Sequence, residues 1–294
     1  MVTKRTKGEY IFDIINTLIM ILMIVITFYP MYYVITCSLS NSMYLLGDKG
    51  LMLLPKGFSL ESYKAVLQNP NIMTGYRTTI IVVLLGTALN VIMTSFAAFL
   101  LTRNDFRIKK ALTYMMIFTM YFSGGMIPSY LLIYKFLNLG DTLLALILPG
   151  AISTYNMIIM RTNFAAIPKS LEESAYLDGA NEVVMLFRII MPLSLPIIAV
   201  MVLFYGVGHW NAWFNAMLYL RTRSRYPLQL ILREILLINS TDSMSGDAGA
   251  ADKYMIGESI KYATIIVATL PILFVYPFIQ KYFVKGMMVG AVKG

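Results

Sequence analysis

Charge is scarce in this sequence of 294 residues: charged residues make up 13% of it and hydrophobic residues 58%. A soluble domain usually carries about 25% charged residues, so the composition excludes an ordinary water-exposed surface. There is a single cysteine, Cys37, which excludes an internal disulfide. With a mean hydropathy of +0.70, these shortages place the chain among integral membrane proteins.

Signatures of catalysis are missing as well. The sequence has no GxxxxGK(S/T) phosphate-binding loop, no HExxH metal site and no GxSxG nucleophile motif. Its one histidine, His209, leaves little capacity for acid–base chemistry. We therefore predict a protein that is not an enzyme and that binds no cofactor and no metal.

Six stretches without charged side chains reach the length of a membrane-spanning helix. They are residues 14–47, 78–102, 111–134, 142–160, 189–220 and 262–280. A charge at mid-bilayer costs at least about 2.5 kcal/mol, and backbone amides in lipid must bond within a helix. We predict an all-α integral membrane fold in one domain, 1–294, with spans at 11–37, 77–102, 111–136, 142–161, 192–219 and 258–281. Glycine and proline predict interruptions in the third, fourth and sixth spans, at Gly124-Gly125, Pro149-Gly150 and Pro271.

Basic residues are shared unevenly between the short loops. The loop at 103–110 holds Arg103, Arg107, Lys109 and Lys110, whereas the loop at 135–142 holds only Lys135. Since loops rich in lysine and arginine stay in the cytoplasm, the 103–110 loop is predicted to be cytoplasmic. An even number of spans then puts both termini on the same side. The net charge of +9 is attributed to this topology and to anionic lipid, not to nucleic acid.

The loop at 163–191 contains several helix-capping signals. Ser170 and Glu173 have the spacing of a capping box. Gly179 suits a helix end in the left-handed region, and Asn181 suits the start of a second helix. The loop is therefore predicted to form two short helices at an angle.

The spacing within this loop resembles a family signature. In the coupling loop of bacterial ABC importer permeases, a Glu-Ala-Ala stretch, a glycine and an Ile-x-Leu-Pro ending recur at fixed distances. The matching positions here are Glu173, Ala175, Asp178, Gly179, Ala180, Ile189 and Pro192. Ser174 and Met191 depart from the pattern by small changes of shape.

Most of the chain resembles the carbohydrate, maltose-permease-type branch of that family, and its oligosaccharide-import subgroup in particular. The segment Trp210-Asn211-Ala212-Trp213-Phe214 and the ending from Tyr276 to Gly294 carry this resemblance. It implies a type I ABC importer permease fold and a multi-pass position in the bacterial plasma (inner) membrane.

The resemblance also implies partners. They are a second permease subunit in a heterodimer, two ATPase subunits that use ATP and Mg, an extracytoplasmic solute-binding protein and membrane lipid. The substrate would be a carbohydrate. The residues implied to couple this chain to the ATPase are Glu172, Glu173, Ala175, Asp178, Gly179, Ala180, Phe187 and Pro192.

Sugar contacts are predicted from side-chain chemistry, because aromatic rings pack against sugar faces and amides bond to hydroxyls. The candidates are Tyr121, Asn156, Tyr205, Trp210 and Asn211. Ordinary helix packing or an aromatic belt at the membrane interface is the alternative for each of them. His209 is interpreted as a packed histidine, because the six windows hold no acidic residue to complete a proton relay. Two other functions stay open: a permease of the same fold for a non-sugar solute, and an ion-driven secondary transporter.

Overall fold

The computed structural model describes residues 6–47, 50–242 and 259–277, and within these residues it contains helices and no strand. The predicted all-α class is confirmed for this part of the chain. The ends of the predicted sixth span and the sequence ending after residue 277 lie outside the described residues.

The helices are numbered here in chain order. They are α1 Lys7–Ser38, α2 Ser42–Gly47, α3 Glu61–Gln68, α4 Pro70–Thr102, α5 Lys109–Tyr121, α6 Met126–Phe136, α7 Leu144–Gly150, α8 Thr154–Phe164, α9 Lys169–Leu177, α10 Glu182–Leu193, α11 Leu195–Asn211, α12 Phe214–Tyr219, α13 Leu228–Asp242 and α14 Ser259–Pro277. Helix α6 ends in a π-helical turn and α7 in a 3₁₀ turn, and α10 has a π-helical centre.

Membrane crossings are formed in two ways. Helices α1, α4 and α14 are each long and apolar enough to cross alone. Three bent pairs reach span length together: α5 with α6 at 115°, α7 with α8 at 51°, and α10 with α11 at 89°. By length and composition the described residues thus supply up to six crossings.

Glycine and proline explain two of the breaks. Gly125 precedes α6 with a φ of 86°, which only glycine adopts without strain, so the third predicted span is broken where expected. The fourth is broken after Gly150, again as expected. The interruption predicted at Pro271 is wrong, because α14 continues through this residue. A proline kinks a helix but does not have to end it when neighbours satisfy the freed carbonyl.

Contacts divide the chain into two compact units, residues 1–69 with 234–269 and residues 70–233 with 270–294. In the first unit, the Ser62 hydroxyl donates to Ser259 Oγ over 2.8 Å. The Tyr33 ring meets the Tyr262 ring edge to face at 6.0 Å. Helix α1 is apolar on all sides, as expected for a helix that meets lipid or another chain.

In the second unit, α4 is the central helix and packs against α8 and α11. The core between them is rich in methionine, with Met157, Met160, Met185 and Met201 fully buried. Methionine is unbranched and fills irregular gaps between helices. This core carries both the 163–191 loop and the interrupted fourth span.

Candidate functional site

The first helix of the 163–191 loop, α9, begins at Lys169, one residue before Ser170, which the sequence predicts as its cap. Pro168 is the N-cap residue, and its carbonyl accepts from the Leu171 amide over 3.1 Å. The predicted capping box at Ser170 is wrong, because Ser170 already lies inside the helix. The proline ring holds φ near −60° and so favours helix initiation here.

The end of α9 matches the prediction. Gly179 has a φ of 81°, and two amides fold back onto the helix: Ala180 N–H to the Ala175 carbonyl at 2.9 Å and Gly179 N–H to the Tyr176 carbonyl at 3.0 Å. This pattern of hydrogen bonds is a Schellman motif. The Asn181 side chain then accepts from the Val184 amide over 2.9 Å and caps α10. The prediction of two short helices joined at Gly179 and Asn181 is confirmed.

The predicted coupling residues divide into two groups. Glu173, Asp178 and Gly179 are exposed together with Leu177, whose side chain is 89% exposed at the end of α9. We call these four residues the tip. Pro192 is also exposed, in the last turn of α10. The tip presents one large apolar side chain between acidic neighbours, which suits a groove on another protein.

The remaining coupling residues contact other parts of this chain. Ala175 is buried in the methionine-rich core, and Ala180 packs beside it. The Phe187 ring meets Phe96 of α4 edge to face, with ring centroids 5.5 Å apart. Glu172 is half-buried and bonded to Arg103. These residues hold the loop to the membrane helices and do not point towards the tip.

Arg103 is a site residue that sequence reasoning missed. It directly follows α4, and its Nη1 donates to Glu172 Oε2 of α9 over 2.5 Å. Its Nε lies 3.3 Å from Glu182 Oε2 of α10, and its Cζ lies 4.0 Å above the Phe99 ring. The sequence marks Arg103 only as one of four basic residues in its loop. Its pairing with a carboxylate 69 positions away is a tertiary fact.

Tyr176 completes this cluster. Its hydroxyl donates to Glu182 Oε1. Partial burial, together with this hydrogen bond, raises the pKa of Tyr176 to about 12, so the hydroxyl remains a donor at physiological pH. A fixed donor and a fixed cation therefore converge on Glu182 from α9 and from the end of α4.

A second polar cluster lies among the membrane helices. Asn90 of α4 is 1% exposed, and its amide nitrogen donates to the Gly150 carbonyl at the break after α7. Its Oδ1 lies 2.6 Å from His209 Nε2 of α11. Gly86 leaves room for this ring, because a Cβ there would lie 2.5 Å from Nε2. His209 is thus a packed histidine with an amide partner, in agreement with its interpretation from the sequence.

Tyr205 supports the same break from α11. Its hydroxyl lies 2.7 Å from Thr94 Oγ1 and accepts from the Ser153 amide over 3.2 Å. The Ser153 hydroxyl accepts from the Asn156 amide and caps α8. Broken helices persist in a membrane only where neighbouring groups satisfy the freed backbone. Asn90 and Tyr205 provide those groups for the fourth span.

The five candidates for sugar contact are therefore dispersed. Asn156 and Tyr205 lie together at the break of the fourth span, and Trp210 lines an apolar cavity of about 480 Å³ beside Thr87 and Gly206. Asn211 is exposed and donates its amide to the Val207 carbonyl at 3.1 Å. Tyr121 is 77% exposed at the end of α5. Their role in the substrate pathway stays a prediction.

Two interhelical segments, the one before α7 and the one after α12, are joined at Asp141. The carboxylate accepts from the backbone amides of Arg221 and Thr222 at 2.9 and 3.0 Å and from the Thr222 hydroxyl at 2.5 Å. Arg225 Nη1 lies 3.1 Å from the same carboxylate. The Thr222 hydroxyl, the two amides and then Arg225 hold the pKa of Asp141 down to about 2.

Acid is expected to weaken this junction. The folded pKa lies below the usual value near 3.9, so the stabilisation is present above about pH 4 and is lost as the pH falls towards 2. Asp141→Asn should lower the melting temperature at pH 7 by about 2–4 °C, and the difference should shrink at pH 3. Thermal unfolding of the purified protein in detergent measures this. The exposed Asp105→Asn serves as the control, and equal melting curves for the two variants would contradict the assignment.

Within residues 6–47, 50–242 and 259–277, no group of three or more His, Cys, Asp or Glu could hold a metal ion. The arrangement suits a protein that moves and does not catalyse a reaction. It combines the exposed tip, the ion pair between Arg103 and Glu172, and an interrupted span whose break is held by side chains.

Comparison with known proteins agrees with this description. The family model for the binding-protein-dependent transport system inner membrane component matches residues 90–289. Protein LplC of Bacillus subtilis (strain 168) is 40% identical over 290 residues, which are 99% of this chain and 97% of the relative. The polygalacturonan/rhamnogalacturonan transport system permease protein YtcP of the same organism is 40% identical over 286 residues, which are 97% of this chain and 99% of the relative.

A solved structure is similar over nearly the whole length. One chain of a bacterial ABC transporter involved in the import of the acidic polysaccharide alginate superposes with a TM-score of 0.86 at 28% identity. The match covers 96% of this chain and 100% of that chain.

Proposed function

Because this chain belongs to the family of binding-protein-dependent transport system inner membrane components, we propose that it forms half of the membrane channel of an ATP-driven oligosaccharide importer. It is a permease subunit of the ABC type, and its part in transport is conformational, not catalytic. The observation that carries the proposal is the 163–191 loop. It is a pair of short helices that exposes Leu177 and is bonded through Glu172 to Arg103, directly after α4.

The substrate class follows from the relatives. One relative is named for polygalacturonan and rhamnogalacturonan transport, and the similar solved structure belongs to an alginate importer. Polygalacturonan and alginate are both chains of acidic sugars. We therefore assign oligosaccharides to this chain and place acidic ones first among those to be tested.

The proposal includes four kinds of partner. A second permease subunit forms the other half of the channel in a heterodimer, and two ATPase subunits hydrolyse ATP with Mg. An extracytoplasmic solute-binding protein delivers the sugar, in keeping with the family's description as binding-protein-dependent. The chain lies in the bacterial inner membrane with lipid around it.

Both termini and the 163–191 loop are proposed to be cytoplasmic. The basic residues at 103–110 favour this orientation. The ion pair between Arg103 and Glu172 supports it, because it joins the loop after the second span to the loop after the fourth. In a six-span chain these two loops lie on one side of the membrane.

Transport would follow from movement of the tip. ATP binding closes the two ATPase subunits, and the tip, seated in a groove on one of them, moves as a rigid body. Helix α10 passes this movement to α11 through the 89° bend at Ser194. The channel then opens outward and receives the sugar, which gives alternating access.

The test is uptake by the assembled transporter. The chain, tagged at its N-terminus, is purified with its partners from its host's membranes and placed in liposomes loaded with ATP and Mg. Radiolabelled oligogalacturonides, alginate oligosaccharides and neutral arabino-oligosaccharides are offered outside with the solute-binding protein. We expect uptake of at least one oligosaccharide, loss of uptake with a non-hydrolysable ATP analogue, and no effect of ionophores.

Two results would overturn the proposal. Uptake by the chain without ATPase subunits, abolished by ionophores, would make it an ion-driven secondary transporter. ATP-dependent uptake of a non-sugar solute, with none of the oligosaccharides taken up, would assign the fold to a different substrate.

A further inference from the structure

One guanidinium group gathers three structural elements at the inner end of the second span. Arg103 follows the last residue of α4 and bonds Glu172 on α9. It also lies within ion-pair distance of Glu182 on α10. Below it is the Phe99 ring of α4, 4.0 Å from Cζ. Both helices of the 163–191 loop are thus joined to α4 through a single side chain.

This cluster is far less solvated than an ordinary surface ion pair. The Arg103 side chain is 11% exposed and Glu172 is 20% exposed, whereas Glu182 is 53% exposed. Exposed ion pairs contribute little to stability, but a buried charge that loses its partner is left uncompensated. The ion pair of Arg103 with Glu172 is therefore stronger than its ion pair with Glu182.

An arginine suits this geometry. Its planar guanidinium offers donors along two edges and can also lie flat on an aromatic ring. A lysine ammonium is a compact charge and would reach one carboxylate at a time. The Tyr176 hydroxyl donates to Glu182 Oε1, whereas Arg103 lies near Oε2. Arg103 therefore meets a carboxylate that Tyr176 already orients.

The covalent connections of the loop lead to α8 and α11. At one end the chain enters from α8, and at the other α10 continues through Ser194 into α11. The second span, α4, has no covalent link to the loop, although it is the helix around which α8 and α11 pack. The loop meets α4 in the shared core, where Ala175 and Leu186 pack in one cluster with Phe99, and through the Phe96–Phe187 ring contact. Arg103 adds a charged link to these apolar contacts.

We propose that Arg103 is a positioning residue for transport, clamping both coupling-loop helices to α4 so that the movement of the loop is passed to the second span. The inference rests on the proposed function. It assigns Glu172 to an internal bond, whereas the exposed Glu173 and Asp178 are left for the ATPase. Loss of the clamp would let the ATPase subunits work without moving the channel fully.

The experiment compares variants of the purified, assembled transporter. The readouts are ATP hydrolysis without substrate, its stimulation by sugar-loaded binding protein, and sugar molecules imported per ATP. The probe is whichever oligosaccharide the wild-type complex imports in the uptake assay above. The variants are Arg103→Met, Arg103→Lys, Glu172→Gln, Glu182→Gln and the double variant Arg103→Met/Glu172→Gln. Arg107→Met, on an exposed arginine of the same loop, is the matched control.

We expect Arg103→Met to assemble, to keep basal hydrolysis within about twofold, and to import at least tenfold less sugar per ATP. Arg103→Lys should import more sugar per ATP than Arg103→Met but less than the wild type. Glu182→Gln should lower the sugar imported per ATP by less than Glu172→Gln does. The double variant should be no worse than Arg103→Met alone, because its Glu172 charge no longer needs a partner. Arg107→Met should resemble the wild type.

Unchanged import per ATP in Arg103→Met would overturn the clamp while leaving the proposed function intact, since the wild-type complex still imports sugar by ATP hydrolysis. Additive losses in the double variant would overturn it too. If Arg103→Met fails to assemble, Arg103→Lys decides, and a wild-type ratio in that variant would count against the clamp. A wild-type complex that imports no oligosaccharide would instead refute the proposed function.

Discussion

Leu177→Asp should lower the stimulation of ATP hydrolysis by sugar-loaded binding protein by at least tenfold in the assembled transporter. Leu177 is a large apolar side chain, 89% exposed at the end of α9. Burying a leucine stabilises a contact by about 1.5–3 kcal/mol. The aspartate loses this contribution and adds a desolvation cost, which together exceed the 1.4 kcal/mol that corresponds to tenfold.

The matched control is Ile108→Asp. Ile108 is 57% exposed in the 103–110 loop, on the same predicted side of the membrane but away from the tip. We expect its stimulation to stay within about twofold of the wild type. The amount of ATPase subunit that copurifies with each variant separates weak docking from poor coupling. Full copurification and full stimulation in Leu177→Asp would show that the tip does not seat in the ATPase.

Gly86→Ala should lower the free energy of unfolding of this protein by about 2–4 kcal/mol, which is the combined cost of overpacking and of a displaced hydrogen bond. The new methyl group would lie 2.5 Å from Nε2 of His209, so the ring must move. Its movement breaks the 2.6 Å contact with Asn90, which also holds the Gly150 carbonyl. Thermal unfolding in detergent and the yield of protein in the membrane measure the loss.

Gly208→Ala is the control for this substitution. Gly208 lies on α11 one residue from His209, and no atom stands within 4 Å of a Cβ placed there. Since alanine is the better helix former by about 1 kcal/mol, this variant should be neutral or slightly stabilised. The double variant Gly86→Ala/His209→Ala should recover part of the lost stability by removing the clash. A Gly86→Ala protein as stable as Gly208→Ala would show that the ring and Gly86 do not meet.

The local backbone of the coupling loop was predictable because its signals act within one or two turns. At the end of α9 the Gly179 amide bonds to the carbonyl three positions earlier, and the Ala180 amide bonds to the carbonyl five positions earlier. Asn181 caps α10 through the residue three positions later. Ser170 shows the limit of such rules. It has the correct spacing for a capping box, but the proline before it starts the helix first.

Prolines in the spans show a similar limit. Gly125 separates α5 from α6 with a positive φ, which is a property of its own backbone. Pro271 removes one amide donor but leaves its φ compatible with a helix, and α14 continues through it. Whether a proline ends a helix in a membrane depends on neighbours that the sequence does not name.

The roles of individual site residues also depend on tertiary contacts. The resemblance to the coupling loop of ABC importer permeases identified the 163–191 loop, but it grouped Glu172 with Glu173 as coupling residues. The structure separates the two, because Glu172 faces Arg103 and Glu173 is exposed. Tyr205 was chosen for its ring, yet in the structure its hydroxyl satisfies the Ser153 amide at a helix break.

The sequence by itself determined that this chain is an all-helical membrane protein and where its coupling helices end, because apolar run length and capping chemistry are local along the chain. Only the tertiary structure decided which polar groups meet: Arg103 with Glu172 across 69 positions, and Asn90 with His209 across 119. Such pairings join residues that are far apart in the chain, and a buried polar group that is left without a partner costs free energy.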